Sequence, residues 1–302
     1  MKKIFYFLFL ILFFMYENFL CASSNYGDFL NINVGARQIA LAGCFTGVAD
    51  DIFAMEYNPA GTALSNKNEF AFSHTEYLGG ANFEYIAYKG KTKYNINYGS
   101  SIRLFSINDV ERNLSGIKIG DFTNKNILIN LNSSKKYKTF YFGFNLKYLS
   151  EKIYNKSFTS LLYDAGILFD LITDNENKFI RFGAAIVNVG TDKKYGAYSF
   201  SAPSKLKVAC SYNTLLFNKD LIMAFELQAE RNTDLSKIIG FEYYFKPFII
   251  IRTGININDD YSEFSNFNFG FGVKQKFGII NYAFQSYNEL GNTHTITFQI
   301  EY

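Results

Sequence analysis

The side chains best able to do covalent or metal chemistry are scarce in this chain. There are two histidines, His74 and His294, and three cysteines, Cys21, Cys44 and Cys210. A zinc centre takes four ligands at short, paired spacings, and two isolated histidines do not supply them. The chain has no Gly-x-Ser-x-Gly elbow, no phosphate-binding loop and no Cys-x-x-Cys. Carboxylates are spread along the chain without a paired arrangement. A membrane-bound lipase, protease or deacylase needs Ser or Asp beside His, and neither His74 nor His294 has an evident second partner. The expectation is no enzyme, no metal and no cofactor. Cys44 and Cys210 could pair in an oxidising compartment, but their separation points to nothing specific, and small packing residues are the favoured reading.

The bulk composition is more informative. Of 302 residues, 34 are Phe and 23 Tyr, Trp is absent, and 19% are charged. The charged share falls below the usual quarter of a globular chain. Mean hydropathy is −0.04. Abundant aromatics, few charges and neutral hydropathy suit a sheet with one lipid face and one wet face. The net charge of +3 is carried by scattered Lys and Arg, which argues against nucleic acid as a partner.

Lys2 and Lys3 precede an apolar run from Ile4 to Met15, followed by Glu17, Asn18 and the small residues Ala22, Ser23 and Ser24. This is the pattern of a secretory signal peptide, assigned to residues 1–22 with cleavage between Cys21 and Ser24. Twelve apolar residues fall short of the ~20 a membrane helix needs. Leu20 stands where a lipoprotein signal usually has a small residue, so lipid modification of Cys21 is disfavoured.

No later apolar stretch is long enough for a membrane helix, so a membrane form must be a closed barrel. From about residue 68 the pattern has period two. Phe142, Phe144 and Leu146 alternate with Gly143, Asn145 and Lys147; Leu206, Val208 and Cys210 alternate with Lys205, Lys207 and Ala209; Phe269 and Phe271 alternate with Gly270 and Gly272. Successive strand residues point to opposite faces, so one face is greasy and the other polar or glycine-rich. A soluble β-sandwich alternates in the same way. Length discriminates: most of the strands read here run 9–15 residues, as tilted membrane strands do, whereas soluble strands centre on five or six. The strands are read at 68–77, 81–90, 93–106, 126–134, 137–151, 156–171, 178–188, 204–213, 219–230, 235–245, 246–257, 265–275, 277–287 and 292–302, a count of fourteen with twelve as the alternative. Short turns are expected at Lys89-Gly90-Lys91 and Lys276-Phe277-Gly278, and longer loops at 107–125, 189–203 and 258–264. The last strand places Ile296, Phe298, Ile300 and Tyr302 on one face and stops on the aromatic. This resembles the terminal signal that outer-membrane barrels present to the barrel-assembly machinery.

Residues 26–66 break the alternation with small residues and short apolar runs, and are read as one or two short helices with tight turns, closed by the X-Pro turn. The segment 35–61 reads GARQIALAGCFTGVADDIFAMEYNPAG. It resembles the N-terminal signature of the PorV/PorQ-type outer-membrane proteins, within the wider FadL-like group. The matching residues are Gly35, Ala36 and Arg37, then Ala49, Asp50 and Asp51, then Tyr57, Asn58, Pro59, Ala60 and Gly61. The resemblance implies an all-β transmembrane antiparallel barrel at residues 68–302, with residues 23–67 folded inside as a plug. It implies an outer-membrane location and contact with outer-membrane lipid. FadL-like members pass hydrophobic small molecules, whereas PorV-like members bind exported proteins on their way to the cell surface. Three functions follow as expectations: transport of hydrophobic or amphipathic compounds, a secretion or surface-attachment component, or a structural barrel with no transported ligand. The chain is shorter than a typical FadL, which weighs against fatty-acid uptake.

A fourteen-strand lumen is wider than side chains can fill, so something must occlude it. Arg37, Asp50 and Asp51 are expected to pair with lumen charges such as Arg103, Lys147 or Glu226, although a helix cap or solvated turn explains Asp50 and Asp51 equally well. Arg placed at Phe142 or Phe271 should meet lipid and cost about 2–4 kcal/mol. Arg at Gly143 or Gly272 should enter the lumen and cost less, unless the plug crowds it.

Overall fold

In the computed structural model the described residues are 24–154, 156–172, 178–195, 198–230, 235–257 and 267–302. The signal-peptide reading of residues 1–22 and the loop reading of 258–264 lie outside them.

Fourteen antiparallel strands close into one barrel. In chain order they are β1 (Glu69–Glu76), β2 (Asn82–Lys91), β3 (Asn97–Arg112), β4 (Lys118–Tyr137), β5 (Phe140–Ile153), β6 (Lys156–Ile172) and β7 (Phe179–Gly190), then β8 (Lys205–Leu216), β9 (Lys219–Glu230), β10 (Ser236–Lys246), β11 (Ile249–Ile257), β12 (Phe267–Gln275), β13 (Gly278–Ser286) and β14 (Asn292–Glu301). Each pairs with its neighbour in sequence, and β14 closes on β1 from His294↔Glu76 to Glu301↔Glu69. Tyr302 and Asn68 then exchange two backbone hydrogen bonds, each 3.0 Å, just beyond this seam. Closure gives every one of these strands a partner on both sides along the shared ladder, which is the condition for a sheet to stand in hydrocarbon.

The alternation reads out as two faces. On β5, Phe142, Phe144, Leu146 and Tyr148 are exposed while Tyr141, Asn145 and Lys147 are buried. On β12, Phe267, Phe269 and Phe271 are exposed while Asn268 is buried. On β8, Lys205 and Lys207 are buried, and Leu206 and Val208 lie on the more open face. The exterior is therefore apolar and aromatic, and the interior carries the charge, the inverse of a soluble protein. The chain is a membrane-spanning β-barrel on this physical ground. Ile296, Phe298 and Tyr302 belong to the exposed face, with Ile300 on the same register.

One rim carries two-residue turns at 138–139, 217–218, 247–248 and 276–277, together with the longer reversal at 92–96. At 217–218 both residues, Phe217 (φ 53) and Asn218 (φ 59), are left-handed, as the turn that matches strand twist requires. The other rim carries most of the longer connections.

Two expectations about loops need correction. Residues 107–125 are not a loop: β3 and β4 continue as a hairpin, paired from Ile107↔Asn124 to Glu111↔Gly120. Polar and apolar side chains are mixed on both of its faces, for example Asn108 bonded to Thr123 with Val110 and Phe122 nearby, so the apolar alternation vanishes although the backbone ladder persists. The chain reverses at residues 113–117, where the Asn113 Oδ1 accepts from the backbone of Ser115 and Ile117. Likewise Lys89-Gly90-Lys91 lies within β2, and the reversal comes at residues 92–96, with Asn95 at φ 59. The connection 189–203 includes short strands at Lys193–Tyr195 and Tyr198–Ser201, the latter paired with Ser24–Asn25.

Candidate functional site

The chain from Tyr26 to Ala63 runs within the barrel and is almost entirely buried. It forms a 3-10 turn (Asp28–Asn31), two short helices, α1 (Ala36–Ala40) and α2 (Ala54–Tyr57), and a 3-10 turn at Pro59–Ala63. These helices are too short to be stable alone, so their order comes from the wall around them.

At one end of the site, Gly35 adopts φ 87, turning the chain into α1, and the Ala36 amide donates to the Thr297 hydroxyl of β14 at 2.8 Å. The next residue, Arg37, is the hub. Its Nε and Nη2 donate to Glu242 of β10 at 2.7 and 2.9 Å, and its Nη1 reaches Asp50 at 2.6 Å and Asp51 at 3.0 Å. Glu242 also accepts from Arg252 Nε at 2.5 Å, and Arg252 Nη1 donates to Asn281 at 2.8 Å. Gln38 Nε2 donates to both Asp51 oxygens, at 3.1 and 3.0 Å. Burial pushes the Asp51 carboxyl upward, against the pull of Arg37.

α2 is tied by Glu56, which accepts from Ser101 Oγ at 2.6 Å and forms an ion pair with Arg103. Burial opposes its ionisation, but Arg103 and Lys147 overcome this and hold its carboxyl down to about 2. Asn58 then caps the following turn. Its Oδ1 accepts from the Ala60 amide at 3.2 Å, and its Nδ2 donates to the carbonyls of Thr46 at 3.0 Å and Ile167 of β6 at 3.1 Å. Pro59 takes the first position of that turn, where a missing N–H costs nothing. A side chain on Gly61 would run into the Ala49 carbonyl at 2.0 Å. Midway, the backbone amides of Phe45 and Thr46 both donate to Glu226 of β9, at 3.1 and 3.0 Å.

The wall answers with glycine. A Cβ on Gly143 would fall 2.2 Å from the Ala60 nitrogen, on Gly166 2.1 Å from Asn58 Oδ1, on Gly183 2.3 Å from the Thr46 carbonyl oxygen, and on Gly254 2.3 Å from the Leu41 carbonyl carbon. At these four places the inner segment lies directly on the wall.

The expected pairings of Arg37, Asp50 and Asp51 with Arg103, Lys147 or Glu226 are not the ones formed. Arg37 bridges Asp50 and Asp51 to Glu242, Arg103 takes Glu56, Lys147 takes Asp164 at 2.6 Å, and Glu226 takes two backbone amides. The helix-cap alternative is not formed either: α2 starts after Phe53 with no side-chain cap, and the Asp51 Oδ1 instead accepts from the Phe53 amide at 2.9 Å in the buried turn before it. Sequence reasoning missed Glu56, Glu242 and Arg252. For Glu242 and Arg252 the available signal was a charge on the polar register of an otherwise apolar strand; Glu56 lies on α2, where no such register exists. The free cysteines are separated by the wall: Cys44 is buried inside, and Cys210 sits on the outward register beside Val208 and Tyr212. Both histidines are on the outer surface, His74 bonded to Glu84 at 2.6 Å and His294 to Tyr282 at 2.7 Å. Among the described residues no group of three or more His, Cys, Asp or Glu is placed to hold a metal ion.

A family model described as Uncharacterised protein family (UPF0164) matches residues 22–154, which take in the inner segment and β1 to β5. Two proteins of Treponema pallidum (strain Nichols), each called "UPF0164 protein", are similar over 71 residues at 41% and 38% identity. Those stretches cover 24% of this chain, and only 18% and 22% of the relatives' own length. Among solved structures, the Ralstonia pickettii toluene transporter TbuX matches with a TM-score of 0.54 at 10% identity, over 89% of this chain and 98% of its own. The TodX monoaromatic hydrocarbon channel, in a deltaS2 mutant, matches with a TM-score of 0.55 at 12% identity, over 88% and 96%. At these identities the likeness is one of fold: the chain shares its barrel architecture with these two proteins, and its residues 22–154 resemble the UPF0164 family.

Proposed function

We propose that this chain is an outer-membrane transport barrel that passes small amphipathic or hydrophobic compounds, with residues 26–66 as its plug. The observation that carries the reading is the wall of inward glycines at 143, 166, 183 and 254, each of which meets inner-segment atoms within 2.3 Å of where its Cβ would stand. A wall shaped to this backbone supports an evolved closure of the lumen rather than a tail that entered by chance. The transport activities named for the two structural neighbours favour the same class. On this reading the chain performs no catalysis, its surroundings are outer-membrane lipid, and its last strand is what the assembly machinery engages. Deleting residues 26–61 from the purified barrel in planar bilayers should raise ion conductance sharply. Conductance at the intact protein's level, in a barrel still folded, would overturn the plug assignment.

A second reading has one observation in its favour. The β3–β4 hairpin extends past β5, whose pairing to β4 stops at Lys125↔Lys152, and it exposes Leu114, Ile117 and Ile119. An apolar tip on the long-loop rim suits a PorV-like component that receives exported proteins. Removing residues 107–124 should then impair surface attachment of those proteins and leave bilayer conductance unchanged; the transport reading expects attachment to be unaffected.

A further inference from the structure

We propose that the cavity between the inner segment and β3 and β7 to β11 binds one small oxyanion, a carboxylate or phosphate group, with Arg103 and Lys207 as its principal donors. The cavity measures about 120 Å³. An apolar cavity of ~150 Å³ holds benzene, so this one has room for a single small molecule. Its chemistry excludes an apolar guest. Three cationic side chains, Arg103, Lys205 and Lys207, and one carboxylate, Glu56, form the charged part of its lining, with Asn188 and Asn256 beside them.

Arg103 supplies the sharper clue. It is only 4% exposed, and its Nη2 is engaged by Glu56. Its Nε and Nη1 meet no hydrogen-bond partner among the described residues. Buried guanidinium donors require acceptors. The Glu56 carboxylate is already committed to Ser101, Asn130 and that one Arg103 nitrogen. The two lysines are opposed by carboxylates outside the lining: Glu230 lies 3.2 Å from Lys205, and Glu226 lies 3.6 Å from Lys207, too far for a good hydrogen bond. Lys207 is also held 5.1 Å above the Tyr57 ring at the cavity wall. An apolar occupant would leave these donors unmet. A neutral polar one would meet the spare Arg103 nitrogens only with the weaker hydrogen bond of an uncharged acceptor. A small oxyanion meets them with a charged one. Binding here does not depend on passage through the lumen.

The test uses the full chain folded in detergent, with folding checked by heat-modifiable gel migration, and isothermal titration in an amine buffer. Sodium acetate and sodium phosphate are the probes, toluene and glycerol the controls. Saturable binding of one acetate or one phosphate per chain, with neither control binding, is expected; whichever anion binds more tightly tells which oxyanion the cavity prefers. Arg103→Lys keeps a cation facing Glu56 but removes the spare donors, and should weaken binding about ten-fold or more. Val187→Phe fills the cavity from its buried lining without altering a charge and should abolish binding. No binding of either anion to the folded protein would overturn the proposal. So would anion binding unmoved by both variants, or toluene binding more tightly than both anions.

Discussion

Gly143→Ala is the most incisive perturbation this architecture offers. The added methyl would stand 2.2 Å from the Ala60 nitrogen and the Pro59 carbonyl carbon, and 2.3 Å from the Pro59 oxygen. Ordinary carbon contacts lie at ~3.5–4.0 Å, so the shortfall exceeds ~1 Å. The obstructing atoms are all backbone, in a turn pinned by Asn58 to β6, and cannot rotate away as a side chain could. Gly143 is not in the left-handed region, so alanine suits its backbone and the effect is purely steric. Overpacking of this kind costs ~1–3 kcal/mol. Gly240→Ala is the matched control. It also faces the inner segment, but its Cβ would meet side-chain atoms of Leu41 and Cys44 at 3.2 and 3.3 Å, a shortfall of a few tenths of an ångström. Its cost should stay below ~1 kcal/mol. The assay is urea unfolding in lipid vesicles followed by far-UV circular dichroism, since the chain has no Trp to report fluorescence. Bilayer conductance should also rise for Gly143→Ala, because the turn it displaces belongs to the plug. Equal unfolding midpoints for the two variants would refute the argument that the inner backbone rests on glycine at this wall.

Other outcomes follow from the same geometry. Arg at Phe271, central in β12, should cost about 2–4 kcal/mol in a vesicle-folding titration; Arg at Phe142, only two residues from the start of β5, should cost ~0–1 kcal/mol because the interface is near. Arg at Gly143 is expected to cost more than Arg at Phe142, because the lumen side is occupied by Pro59 and Ala60. The folded Glu56 pKa of about 2 lies below its unfolded value near ~4.3, so its contribution is present above pH ~4.3 and lost as pH falls toward 2. That contribution is worth about 3 kcal/mol, and Glu56→Gln should flatten the stability profile over that pH window. The mature protein should fractionate with the outer membrane and migrate heat-modifiably on gels; recovery as a soluble periplasmic monomer without detergent would contradict the membrane assignment.

The fold was legible in the sequence because a barrel strand in lipid obeys a local rule. Side chains alternate, the lipid face cannot carry charge, and length is set by the bilayer, so Phe142-Gly143-Phe144-Asn145 declares its two faces without reference to any other strand. Where the lipid stops, the rule stops. The β3–β4 hairpin projects past its neighbours with polar and apolar side chains mixed on both faces, and its strands could not be read although the backbone ladder is intact. The inner segment was recognisable as something other than a strand, from its glycines and Pro59, for the same local reason. Its partners were not. Arg37 finds Glu242, Glu56 finds Arg103, and Phe45 finds Glu226 only because barrel closure brings strands far apart in the chain around one lumen. A buried charge seeks whichever counter-charge the register and shear place opposite it, and sequence spacing carries no record of that choice. The spare nitrogens of Arg103 show the same division: the residue type announces a charge in the lumen, and only the packed structure decides that two of its donors are left facing no protein acceptor.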